Sequence, residues 1–175
     1  MSDVTHRIRS SRFMNAPTDA SPPFRVLFVC SGNICRSPLA EAMFKALARD
    51  AGHASRFVVD SAGTHGLHEG DQADPRTRRV GRKHGLDVDS ISRPVTDDDF
   101  DEFDLIIAMD RGHRRELLSR AGPGRRAAIR LMREFDPSTR DQDVPDPYYG
   151  GEAGFDQMYA ILDPACRGLL QSLRG

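Results

Sequence analysis

Cysteine is scarce in this chain: three in 175 residues, at Cys30, Cys35 and Cys166. Two of them lie five residues apart, so no disulfide framework is implied and a reducing, cytoplasmic setting is expected. An excess of either charge is also missing. Lys and Arg number 25 against 26 Asp and Glu, a formal net charge of -1 that argues against a dedicated nucleic-acid binder. Arginines cluster at Arg76-Thr-Arg78-Arg79 and Arg82-Lys83, where helical spacing spreads them over an exposed face and they read as solvated surface. No run of about 18 consecutive apolar residues occurs, so no membrane span is expected. Residues 1–22 also lack the roughly 7–15 apolar residues of a secretory signal, and we read them as a disordered extension. Residues 23–175 then make one domain, for which 38% hydrophobic residues supply an ordinary core. The histidines show no zinc-like spacing with the cysteines, and no Gly-Lys-Ser/Thr tripeptide marks a nucleotide loop. Neither a metal nor a cofactor is expected.

What is present alternates. Phe24-Arg-Val-Leu-Phe-Val29 has the apolar, β-rich character of a buried strand, and Pro38 to Ala48 follows with helix formers and a proline in the first turn. Further strands are expected at 56–59, 104–109 and 127–132, and helices at 75–84 and 114–119. A polar loop over 136–154 precedes a final helix over 155–173 that Pro164 kinks or divides. Strands alternating with helices, without hairpin signals, imply an α/β fold: a doubly wound, four-stranded parallel sheet with helices on both faces. Ligands of such sheets sit beyond the carboxyl ends of the strands, where Cys30 falls.

The loop after that strand, Cys30-Ser31-Gly32-Asn33-Ile34-Cys35-Arg36-Ser37, carries the chemistry. A cysteine and an arginine six positions apart can share one tetrahedral oxyanion, sulfur at its centre and nitrogen at its oxygens. Loop amides leading into a helix N-terminus favour a thiolate and receive phosphate oxygens. Gly32 and Asn33 are types that tolerate the positive φ an anion cradle requires. Arg36 offers a planar fork to two oxygens. Ser37 is placed to donate its hydroxyl to the Cys30 sulfur. This is the constellation for removing a phosphate through a phosphocysteine.

The run Val29 to Pro38, followed by Ala40-Glu41, resembles the signature of the low-molecular-weight protein tyrosine phosphatases. Asp146-Pro147-Tyr148-Tyr149-Gly150 is a second, distant match. Asp60-Ser-Ala-Gly63, Lys83-His-Gly85, Ala108-Met-Asp110 and Phe135-Asp-Pro137 extend the likeness in order over about 25–173. The resemblance implies catalysis by Cys30, Arg36 and Asp146, and substrate contacts from Ser31, Gly32, Asn33, Ile34, Cys35, Ser37, Leu67, Tyr148 and Tyr149. It implies a phosphotyrosine-containing protein as substrate, acted on by a monomer or weak dimer. Asp146 also makes chemical sense unaided. An aryl oxide leaves poorly unless protonated, and an aspartate flanked by Pro145 and Pro147, with Asp143 adding like charge, suits a general acid above the phosphate.

Leu67 stands where many relatives place an aromatic residue, which weakens ring stacking on that wall. Ser90 stands where many carry a histidine that supports the loop. Ile34 resembles the tyrosine phosphatases, whereas protein arginine phosphatases of the same fold use Thr there. Cys35 is read as a partner that traps oxidised Cys30 as a disulfide, and Cys166 as core. An arsenate reductase on this fold is disfavoured because its thiol relay needs more cysteines. A silent phosphate-binding regulatory module is disfavoured because Cys30, Arg36 and Asp146 are all retained. Asp110 is expected at the site rim or as a helix cap.

Overall fold

The structure, a computed structural model, describes residues 21–174, so residues 1–20 of the expected extension lie outside the described residues. Strand β1 is Phe24–Cys30, helix α1 Arg36–Asp50, β2 Phe57–Gly63, α2 Pro75–Lys83, the single turn α3 Asp99–Glu102, β3 Leu105–Ala108, α4 Arg111–Ala121, β4 Ala128–Leu131 and α5 Gly151–Arg174. The strands form one parallel sheet in the order β2-β1-β3-β4.

β1 is central and buried, so its side chains divide between two apolar layers. Val26, Phe28 and Cys30 face a core built with Leu39, Met43 and Phe44 of α1 and Met158 and Leu162 of α5. Leu27 and Val29 face a second core built with Phe100, Phe103 and Leu117. This two-sided burial is why β1 reads as a continuous apolar run rather than an alternation.

α5 runs unbroken through Pro164 and begins four residues earlier than expected. Leu162, Ala165, Cys166 and Leu169 are fully buried on both sides of the proline, and this packing outweighs the lost hydrogen bond. At Gly168 a Cβ would sit 1.9 Å from the Phe135 carbonyl oxygen, so the helix approaches that backbone only because the residue is glycine. Arg79, Arg82 and Lys83 of α2 are exposed, as expected from their spacing, and the cluster also makes ion pairs on that surface. Arg79 pairs with Glu152 and Lys83 with Asp156, joining α2 to α5, while Arg76 reaches the Asp146 loop.

Candidate active site

Cys30 ends β1 opposite Gly63 of β2, at the carboxyl edge of the sheet. A Cβ on Gly63 would lie 2.6 Å from the Ser31 carbonyl oxygen, so the bare backbone of β2 lets the loop turn against it. Thr64 and His65 N–H groups donate to the Cys30 and Ser31 carbonyls at 2.9 and 3.2 Å. The loop passes directly into α1, whose N-terminus has neither a capping side chain nor an acidic residue in its first turn. Its amides therefore face the loop without a built-in acceptor, as an anion site requires.

Of the two residues expected to need positive φ, Asn33 has it, at 57°. Gly32 does not. Its small size instead leaves room for the ring of His68, whose Cδ2 would stand 2.8 Å from a Cβ there. Asn33 holds its conformation by donating from Nδ2 to Ser37 Oγ at 2.8 Å and accepting at Oδ1 from the Arg93 N–H at 3.1 Å. Ser37 Oγ lies 3.0 Å from Cys30 Sγ. Because Asn33 already donates to that oxygen, the Ser37 proton points away from it, towards the sulfur at 3.0 Å or the more distant Ala62 carbonyl at 3.4 Å. Support from the 90–93 segment comes through Ser92, which donates to the Gly32 carbonyl at 2.9 Å, and through Arg93 rather than through Ser90. Arg93 is itself held by Asp60 and Asp99.

Arg36 is buried, and its Nη1 donates to Asp110 Oδ2 at 3.1 Å and to the Val144 carbonyl at 2.9 Å. Nη2 lies 3.8 Å from Asp146 Oδ2, which leaves the Nε–Nη2 edge as the fork for an oxyanion. Asp143 does not press on Asp146 as expected, because Arg111 engages it through its backbone N–H at 3.1 Å and its Nε at 3.3 Å. The charge facing Asp146 is the Arg36 guanidinium. Asp146 is half exposed and accepts from the Tyr148 N–H at 3.1 Å. Arg76 fixes that turn: it donates to the Tyr148 carbonyl at 2.9 Å, lies over the Tyr148 ring and pairs with Asp74.

Asp110 is both rim residue and helix cap. Burial works against its carboxylate, but the His113 N–H, the His113 ring and Arg36 hold it below the usual range. Burial also pushes the His113 ring down to about 4, against the opposing pull of Asp110. Its usual value is near 6.5, so the unfolded chain binds this proton more readily and folding stability falls as pH drops from about 6.5 towards 4. The contribution is about 3 kcal/mol, fully present above that window. Urea unfolding at pH 7 and 4.5 is expected to show His113→Gln losing much less stability on acidification than the parent; equal losses would refute the assignment.

Burial, and then the Asp74 charge, push the Cys35 thiol up to about 12. Cys35 is buried among core residues, and its thiol is neutral there. Cys166 is fully buried, as expected of core, and burial raises its thiol too.

Cys30, Ser31, Gly32, Ile34, Cys35, Arg36, Leu67, Asp146, Tyr148 and Tyr149 line one cleft of about 240 Å³, joined by His65 and His68, which sequence reasoning left unassigned. Asn33 and Ser37 are buried behind it. Leu67 is 83% and Tyr149 92% exposed, forming an apolar mouth over a polar floor. Among the described residues no group of three or more His, Cys, Asp or Glu could hold a metal ion, and no helix is long and apolar enough to cross a membrane. The cleft is thus a cradle for a tetrahedral anion, with a sulfur at its base and a carboxyl at its lip.

The sequence model of a family described as "Low molecular weight phosphotyrosine protein phosphatase" matches residues 25–175. A low molecular weight protein-tyrosine-phosphatase of Streptomyces coelicolor is 48% identical over 154 residues, covering 86% of this chain and 94% of that one. The structure of a protein tyrosine phosphatase from Entamoeba histolytica, with Hepes in its active site, superposes with a TM-score of 0.82 at 47% identity, covering 86% of this chain and 96% of that one. An arginine phosphatase of Drosophila superposes with a TM-score of 0.80 at 32% identity, over 86% of this chain and 98% of its own. On the match over 25–175, and on identity approaching one half along nearly the whole length of a relative, the chain belongs to the low molecular weight phosphotyrosine protein phosphatase family.

Proposed function

We propose that this protein tyrosine phosphatase works by two displacements at one phosphorus. Cys30 Sγ attacks, forming an S–P bond as the P–O bond to the tyrosine ring breaks, and Asp146 gives its proton to the departing phenolate oxygen. Water then attacks phosphorus while Asp146 takes its proton, the S–P bond breaks, and inorganic phosphate leaves with the Cys30 thiolate restored. Arg36 and the amides of the loop and α1 hold the charge on the equatorial oxygens. Ser37, with its oxygen 3.0 Å from Cys30 Sγ, stabilises the sulfur as leaving group in the second step.

One observation carries the reading: Cys30, Arg36 and Asp146, drawn from segments more than a hundred residues apart, line a single cleft under an apolar mouth. Ile34 lies in that cleft, and its apolar side chain suits an aromatic ring better than a guanidinium. The substrate class is therefore a phosphotyrosine side chain of a protein, with Leu67, Tyr148 and Tyr149 against the ring and the residues flanking it.

Purified protein assayed against phosphotyrosine, phosphoserine and phosphoarginine peptides, with arsenate in parallel, tests this. Phosphotyrosine is expected to lead in kcat/KM by at least about tenfold. A lead for phosphoarginine, or arsenate reduction without ester hydrolysis, would overturn the assignment.

A further inference from the structure

The two ends of the phosphate loop meet a second time, on α4. Ser31, the neighbour of the nucleophile, shares a 2.7 Å hydrogen bond with His113 Nε2. His113 is 6% exposed, and its backbone N–H donates to Asp110 Oδ1 at 2.8 Å. The other Asp110 oxygen accepts from Arg36. Residues 31 and 36 are therefore joined once through the loop and once through the first turn of α4. Neither displacement at phosphorus makes use of His113.

The tautomer of its ring follows from what surrounds it. Nδ1 lies 3.2 Å from Asp110 Oδ1 yet lacks a hydrogen-bond partner in good geometry. A carboxylate repels an imidazole lone pair at that separation and attracts an N–H, so the single proton of the neutral ring sits on Nδ1. Nε2 is then the acceptor and the Ser31 hydroxyl the donor. That proton is committed to α4, so Ser31 serves the substrate through its backbone rather than its hydroxyl.

We propose that Ser31, His113 and Asp110 form a bracket across the phosphate loop, in which neutral His113 is a positioning residue that keeps the loop amides and Arg36 aligned for the transition state. This rests on the assignment of Arg36 as phosphate clamp. The charged groups around the ring are Asp110 and Arg36 beside it and Asp143 and Asp146 on the acid-bearing loop. Desolvation outweighs the three carboxylates, so the ring is neutral where the enzyme turns over and the bracket does not switch with pH near neutrality.

The test compares Ser31→Ala, His113→Asn and their combination with Arg36→Lys. It uses kcat/KM for an aryl phosphate, inhibition by vanadate and by inorganic phosphate, and the ¹⁵N spectrum of the His113 ring. Each bracket variant is expected to lose about tenfold in kcat/KM and in vanadate affinity, because a small misplacement is felt most in the transition state. Inhibition by phosphate should change less than about threefold, and the combined variant should be no worse than either single one, since all three remove one bond. The spectrum should show Nδ1 protonated and Nε2 bare. Unchanged kcat/KM in Ser31→Ala, losses that multiply in the combined variant, or a proton on Nε2 would each overturn the bracket. If His113→Asn does not fold, Ser31→Ala and the parent spectrum decide. An active Arg36→Lys would instead remove the clamp assignment, whereas an inactive one beside an unaffected Ser31→Ala removes the bracket alone.

Discussion

Replacing Cys30 by serine is expected to lower aryl phosphate turnover by roughly four orders of magnitude or more, because in the proposed reaction the sulfur is the atom that bonds to phosphorus. The surroundings make this variant informative. Cys30 is 3% exposed, it ends a central strand, and the oxygen that faces it belongs to Ser37, which Asn33 holds in place. A serine hydroxyl fits that position without a clash, while its oxygen is a far weaker nucleophile than a thiolate. The cradle is made of amides and Arg36, none of which is altered, so inorganic phosphate should bind within about threefold of the parent. Steady-state assays on p-nitrophenyl phosphate, with calorimetric titration of phosphate, measure both. Turnover within about a hundredfold of the parent would mean that phosphorus is attacked by something other than this sulfur.

Asp146→Ala is expected to reduce kcat on phosphotyrosine by about 10²- to 10³-fold, within the usual range of about 10²- to 10⁴-fold for general acid catalysis. The size of the loss should depend on what leaves. Phosphate esters of acidic phenols need little help and should lose least; esters of phenols like tyrosine should lose most. A series of aryl phosphates graded by leaving-group acidity therefore separates proton donation from a structural defect, which would slow every member alike. Asp146 is half exposed and takes its orientation from the Tyr148 N–H and the Arg36 guanidinium, so its removal leaves no buried group unpaired. Equal slowing across the series would remove Asp146 from the acid role.

Much of this was legible in the sequence for one physical reason: the phosphate loop is local. Cys30, Asn33, Arg36 and Ser37 lie within eight residues, and a strand on one side and a helix on the other dictate where they point. Asp146 is remote, but the prolines around it and the tyrosines after it give it a local signature. The residues that escaped notice act across the fold. His113 was one histidine among several until the first turn of α4 brought it to Ser31. Arg76 belonged to a basic cluster whose spacing suggested solvent, and only the packing of α2 beside α5 turns it towards Tyr148. The Val144 carbonyl that holds Arg36 has no side-chain signal at all. Asp143 shows the converse error: nearness in sequence suggested repulsion of Asp146, and Arg111, thirty-two residues away, engages it instead.

The cradle is framed largely by main chain: the carbonyls of Cys30, Ser31, Gly32 and Val144 hold or are held by neighbouring elements, and α1 presents its own amides. The mouth is the opposite, made of side chains as exposed as Leu67 and Tyr149. For inhibitor chemistry this divides the site into two zones. A phosphate mimic alone addresses main-chain amides together with the Arg36 fork, the shared machinery of the reaction, and it should therefore hit family members indiscriminately. Selectivity for this protein has to be built outward from that anchor, with an arm that rests on Leu67 and reads the edges of His65 and His68.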